Sequence, residues 1–185
     1  MLVFTKPGRE CTDETCRLAI ERAMKDHMNI CSATTSGASG ARICEIAKEM
    51  KFEGKLVLVS HAYGSREPGQ NAMQPEYRKV MEDYGATIVT AAHVLSGVER
   101  AMSGQFHGVY PAEIMAATLR LLSNGIKVVV EIGSMALDNG ALPHGEAIVC
   151  IGGTGSGLDT AVIMNPAHAN KIFETSIHEI LCMPY

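Results

Sequence analysis

Ile43-Cys44-Glu45-Ile46-Ala47-Lys48-Glu49-Met50, then Gly54, then Leu56-Val57-Leu58-Val59 compress three structural signals into one stretch. Ile43, Ile46, Ala47 and Met50 recur at helical spacing, the glycine supplies the left-handed residue that ends a helix, and the apolar, valine-rich run reads as a strand. The plan returns at 77–84, Gly85 and 87–89, and a third time at 114–122, Gly125 and 128–132. Pro75 and Pro111 mark helix starts, where the N–H that proline lacks is not needed. A further helix is predicted over 12–28, capped by Thr12, with Cys16, Ala19, Ile20, Ala23 and His27 on one face; it feeds a strand near 29–34. The runs 127–132 and 147–151 are nearly all apolar, as strands buried on both faces should be. Another strand is expected at 160–164, and the tail 178–183 reads as an edge strand or a short helix. Such alternation closes economically only as a mostly parallel sheet with helices on both faces. The expectation is therefore a single α/β domain over 1–185, a three-layer α/β/α fold with no linker.

Composition narrows the function classes. A chain of 185 residues buries about 70% of its unfolded surface and needs no disulfide staples. The six cysteines, at 11, 16, 31, 44, 150 and 182, form no C-x-x-C pair and no zinc-finger spacing, so they read as reduced, mostly buried thiols. A net charge of -4 opposes a polyphosphate partner, which argues against nucleic acid. No eighteen apolar residues run together and no secretory leader is visible, so no membrane partner and a cytoplasmic location are expected. Glycine, at 18 residues, is enriched and calls for a use.

Two glycine-rich loops supply one. Thr34-Thr35-Ser36-Gly37-Ala38-Ser39-Gly40 lies between an expected strand and an expected helix, where unpaired N–H groups and the positive dipole end face an anion. Hydroxyls on Thr34, Thr35, Ser36 and Ser39 could add donors, although a plain capped turn has the same composition. The loop is neither a Walker loop nor G-x-G-x-x-G. Gly152-Gly153-Thr154-Gly155-Ser156-Gly157-Leu158-Asp159 again follows a buried strand, and four glycines there imply close backbone approach to a ligand or to another strand. Between them, Ser60-His61-Ala62-Tyr63-Gly64-Ser65-Arg66 offers Arg66 for an anion and Tyr63 for a flat ring; a solvated loop is the plain alternative. The segment from His93 to His107 is long enough for a lid, and either histidine titrates near neutral pH or serves structure. Glu131, inside Val128-Val129-Val130-Glu131-Ile132, needs a partner or a function to be tolerated in an apolar strand.

Taken together, several segments resemble the C-terminal α/β domain of pyruvate kinase, and more closely a group of stand-alone archaeal and bacterial proteins of that fold. They are Thr35-Ser36-Gly37, the run from His61 to Gln70, Ala92-His93-Val94-Leu95-Ser96-Gly97-Val98, Pro111-Ala112-Glu113-Ile114-Met115-Ala116 with Glu131-Ile132, Ile151-Gly152-Gly153-Thr154, Asp159-Thr160-Ala161 and Pro166-Ala167-His168. The resemblance implies a phosphate site at Thr34, Thr35, Ser36, Gly37 and Ser39 and a second at Gly155-Ser156-Gly157. It implies no pyruvate kinase activity, since that chemistry belongs to a barrel not present in these residues. From the stand-alone relatives it implies bound flavin mononucleotide (FMN), and hence a flavoprotein. The cofactor-binding set expected on these grounds is Thr34, Thr35, Ser36, Gly37, Ser39, His61, Tyr63, Gly64, Arg66, His93, Gly153, Thr154, Gly155 and Asp159. Two alternatives stand beside binding of this phosphorylated small molecule: a sugar-phosphate-sensing regulatory or assembly module acting through a homo-oligomer or partner, and a small-molecule enzyme using His93 and Glu131.

Overall fold

A computed structural model describes residues 1–185 as seven strands and six α-helices, with two short 3-10 turns at Arg9–Cys11 and Ala169–Glu174. The strands are β1 (Leu2–Phe4), β2 (Asn29–Ala33), β3 (Leu56–His61), β4 (Thr87–Ala91), β5 (Ile148–Gly152), β6 (Thr160–Asn165) and β7 (Ser176–Pro184), joined in one sheet of order β1-β7-β6-β5-β2-β3-β4. Four of the six pairings are parallel, and β6 runs antiparallel to both β5 and β7. The fold is α/β with a mostly parallel mixed sheet in a three-layer α/β/α arrangement.

One face is covered by α1 (Thr12–Asp26), α2 (Ala38–Glu49) and α3 (Pro75–Tyr84), whose Cys16, Ile20, Ile43, Ile46 and Met81 share a core with Ile30, Leu58 and Ile151 of the sheet. The opposite face is covered by α6 (Asn124–Asp138), which lays Ile126, Val129, Ile132 and Met135 on Cys31, Val57, Val59 and Cys150. Outside α6 lie α5 (Pro111–Arg120) and then α4 (Gly97–Phe106), which has no buried residue. All six cysteines are buried and unpaired, and burial pushes the thiols of Cys16 and Cys44 up to about 12. No helix is long and apolar enough to cross a membrane.

The third repeat of the helix–glycine–strand plan fails. Residues 128–132 are not a strand but the middle of α6, whose start is set by the Ser123 hydroxyl accepting the Ile126 N–H at 3.0 Å. The helix is wedged between sheet and α5 and buried over most of its circumference, so a continuous apolar run carries no period to separate it from a strand. Gly125 accordingly ends nothing; it lies in the first turn of α6, where a Cβ would collide with the Thr160 side chain. Gly54 is likewise not the stop of α2, which ends at Glu49 with Lys51 taking the left-handed φ of 58°. Gly85, at φ 88°, does end α3. Thr12 opens α1 without capping it; its hydroxyl accepts the Leu158 N–H at 3.1 Å, and His27 ends the helix at φ 55° rather than joining its buried face. The tail is an interior strand, since the unanticipated β1 takes the edge beside it. The segment after His93 is not an irregular loop but holds α4.

Candidate functional site

From β2 the chain crosses toward β3 and from β5 toward β6, so the two central neighbours β2 and β5 lead in opposite directions along the sheet. A crevice opens at such a switch point beyond the carboxyl ends of the strands. Here it is a cleft of about 780 Å³, within the range of small-molecule and cofactor sites.

The first wall is the turn from β2 into α2. Thr34, Thr35, Ser36 and Ser39 line it, and the Thr34 hydroxyl accepts the Gly40 N–H at 3.2 Å, which fixes the turn. In the first turn of α2 the Ala38 N–H donates to the Ser36 hydroxyl at 3.5 Å, and the Ser39 N–H has no acceptor. Gly37 shapes this wall from behind, at φ 99°, backed against Tyr77. The facing loop contributes Gly153, Gly155, Ser156 and Gly157. It is pinned from below by Asp159, fully buried, whose carboxylate accepts the N–H groups of Gly8 at 2.9 Å and Thr154 at 3.0 Å and the Thr160 hydroxyl at 2.8 Å. Asp159 thus positions the loop and has no free oxygen to offer a ligand; Thr154 and Gly37 support the walls without lining them.

The second wall comes from β3, the loop after β4, and α6. Ser60, His61, Arg66 and His93 line it, together with Glu131. Tyr63 is 65% exposed and, with Gly64, stands away from the cleft, so the aromatic residue that does line it is Tyr77. The Thr35 hydroxyl lies 3.1 Å from His61 Nε2, and the His61 and His93 rings meet edge to face with centroids 4.5 Å apart. His93 Nδ1 lies 2.8 Å from Glu131 Oε2, which also takes the Lys127 ammonium, while Glu131 Oε1 accepts the Leu95 N–H at 3.1 Å. Burial alone would raise the Glu131 pKa, but the His93 hydrogen bond and the Lys127 charge bring it down to about 2, so the carboxylate is ionised. Burial, and then the neighbouring His93, hold His61 below its ordinary value. An ionised glutamate on Nδ1 orients the His93 ring and leaves Nε2 as the nitrogen for a ligand proton.

Charge is distributed with a purpose. Arg42 lines the cleft but is committed to Asp13 at 2.8 Å and to Glu45 at 2.8 Å. Arg9 donates only to the Ser156 hydroxyl, at 3.3 Å, and Arg66 has no ion-pair partner; both are free for an anion. Ala33, Val59, Val128, Ile132 and Met135 give the cleft an apolar floor. Arg9, Arg42, Tyr77 and Met135 are site residues that local sequence patterns do not mark, because each arrives from a distant helix or terminus. The one available signal, Gly8 before Arg9, gains meaning only when its N–H reaches Asp159 across 151 residues.

The fold and this cleft define an open α/β protein with a polar, cation-bearing strand-end pocket. No family model matches the chain.

Proposed function

We propose that the cleft binds a phosphorylated small molecule, and that this molecule is FMN. The observation that carries the reading is the first wall: hydroxyls of Thr35, Ser36 and Ser39 and the unpaired Ser39 N–H at the start of α2 line the same cleft as Arg9 and Arg66, two arginines without carboxylate partners. Such a set neutralises one phosphate in a chain whose overall charge is negative. The cleft also suits the remainder of FMN. Its apolar floor and Tyr77 offer contact to a flat ring, and the Ser60 hydroxyl, buried in the wall without a protein partner, is available to a ribityl oxygen. The resemblance to pyruvate kinase C-terminal-like proteins supports the same ligand, and six free, buried thiols support a cytoplasmic location. When bound, FMN supplies electron-transfer chemistry at its ring. The chain's own residues bind the phosphate, exclude water with the apolar floor, and orient His93 so that its Nε2 faces a ligand.

Freshly purified protein should carry flavin absorbance, or take up FMN far more tightly than riboflavin, which lacks the phosphate. Binding of neither would remove the proposal. A second reading, an acid–base enzyme acting on a phosphorylated substrate, is favoured by the contact between His93 and Glu131. It predicts tight binding of colourless sugar phosphates and a bell-shaped pH profile that changes shape on His93→Gln replacement.

A further inference from the structure

The helix pair α4–α5 is built unlike the rest of the molecule. On α4, Val98, Met102 and Phe106 recur every four residues on one face, and all are exposed, Val98 at 77% and Phe106 at 67%. Ile114 of α5 and Leu121, the residue just past its end, lie seven positions apart and are 56% and 84% exposed. Helical spacing puts Arg100 and Arg120 on other sides of their helices. The two carboxylates are already used: Glu99 accepts the Ala112 N–H at 2.8 Å, and Glu113 accepts the Ser103 hydroxyl at 2.7 Å. The apolar faces therefore carry no cation and are edged by the carboxylates of Glu99 and Glu113.

A ten-residue helix with no buried residue is below the length at which helices persist in water, so α4 needs a covering surface. Together the large apolar side chains of the pair expose on the order of 700 Å², close to the roughly 800 Å² per partner of a standard interface. Patches built of Phe, Met, Leu, Ile and Val match homodimers, whose interfaces are the most apolar class. One patch suffices for a two-fold dimer, since the same surface serves both protomers.

We infer that the α4–α5 apolar faces are a self-association surface covered by a second copy of this chain, independently of what the cleft holds. Because α4 follows directly on the loop carrying His93 and Leu95, the dimer also braces the second wall of the cleft.

The test is the solution mass of the full chain by sedimentation velocity over a wide concentration range. The expected mass is twice 19.8 kDa. The double variant Phe106→Glu/Leu121→Glu should weaken association roughly a hundredfold, as loss of two interface anchors does, with an unchanged far-UV circular dichroism spectrum. Should that variant unfold, Val98→Ser/Ile114→Ser replaces it, and amide exchange in α4 of the wild type should slow as concentration rises. A wild type that stays at 19.8 kDa throughout, or a dimer that survives both double variants, overturns the inference.

Discussion

The two walls of the cleft are made of different materials. The turn from β2 into α2 is backbone N–H groups and small hydroxyls, set by residues within six positions of one another, as in the bond from Gly40 to Thr34. The wall from His61 to Glu131 is a set of charged and imidazole groups gathered from β3, the loop after β4 and α6, with its carboxylate 1% exposed. A wall of the first kind recognises charge at little cost in stability. A wall of the second kind is coupled to the fold, because a buried charge is tolerated only while its partners are in place.

That difference can be broken most forcefully at Glu131. Glu131→Ala leaves Lys127 buried without its anion, and the expected loss is about 3–5 kcal/mol in urea unfolding. A loss below about 1 kcal/mol would mean that the second wall is no more tied to the fold than an exposed ion pair. Next in size is Gly157→Ala. Gly157 sits at φ 87° with the Arg9 backbone against it, so a Cβ should cost about 1–3 kcal/mol and displace Arg9, lowering FMN affinity as well.

Thr35→Ala/Ser36→Ala should leave the unfolding midpoint nearly unchanged and weaken FMN by about tenfold or more, since hydrogen bonds to a charged group are worth about 1.5–3 kcal/mol each. Riboflavin binding should not change. Equal weakening of both ligands would assign these hydroxyls to something other than the phosphate.

Glu131 and His61 also set a dependence on pH. Glu131 is held at about 2 against an ordinary 4.5, so its stabilisation is full above pH 4.5 and is lost as pH falls toward 2. His61 lies below its ordinary 6.5, so the unfolded chain takes the proton first and stability declines as pH drops below that value. Melting temperature against pH should therefore show two acid-side losses. Glu131→Gln should flatten the lower one, and His61→Gln the upper.

How much of this was legible in the sequence varies by residue. Thr34 through Ser39 and Gly153 through Gly157 stand out because turns and glycine clusters are local features, and the structure puts both at the cleft. His93 and Glu131 stand out singly. Their pairing does not, since the run around Glu131 reads as a strand, and a strand would place the carboxylate differently from a helix that packs across the sheet. Tyr63 and Tyr77 show the reverse failure. Nothing local to Tyr63's loop or to the first turn of α3 says which aromatic ring faces inward; that depends on α3 packing against α2.

Two runs of nearly equal composition mark the boundary. Val128-Val129-Val130-Glu131-Ile132 is helix and Ile148-Val149-Cys150-Ile151 is strand, and each is almost wholly buried. Sequence alone determined the starts at Pro75 and Pro111, the stop at Gly85, the strands of the parallel core and both glycine-rich turns, because caps, turns and half-buried periods are decided by neighbours a few residues away. Tertiary structure decided that α6 is a helix, that β6 alone runs against the rest of the sheet, and that Arg9, Tyr77 and Glu131 meet around one cleft. Where a segment is buried on every side its pattern loses its period, and the packing of distant elements then selects its conformation.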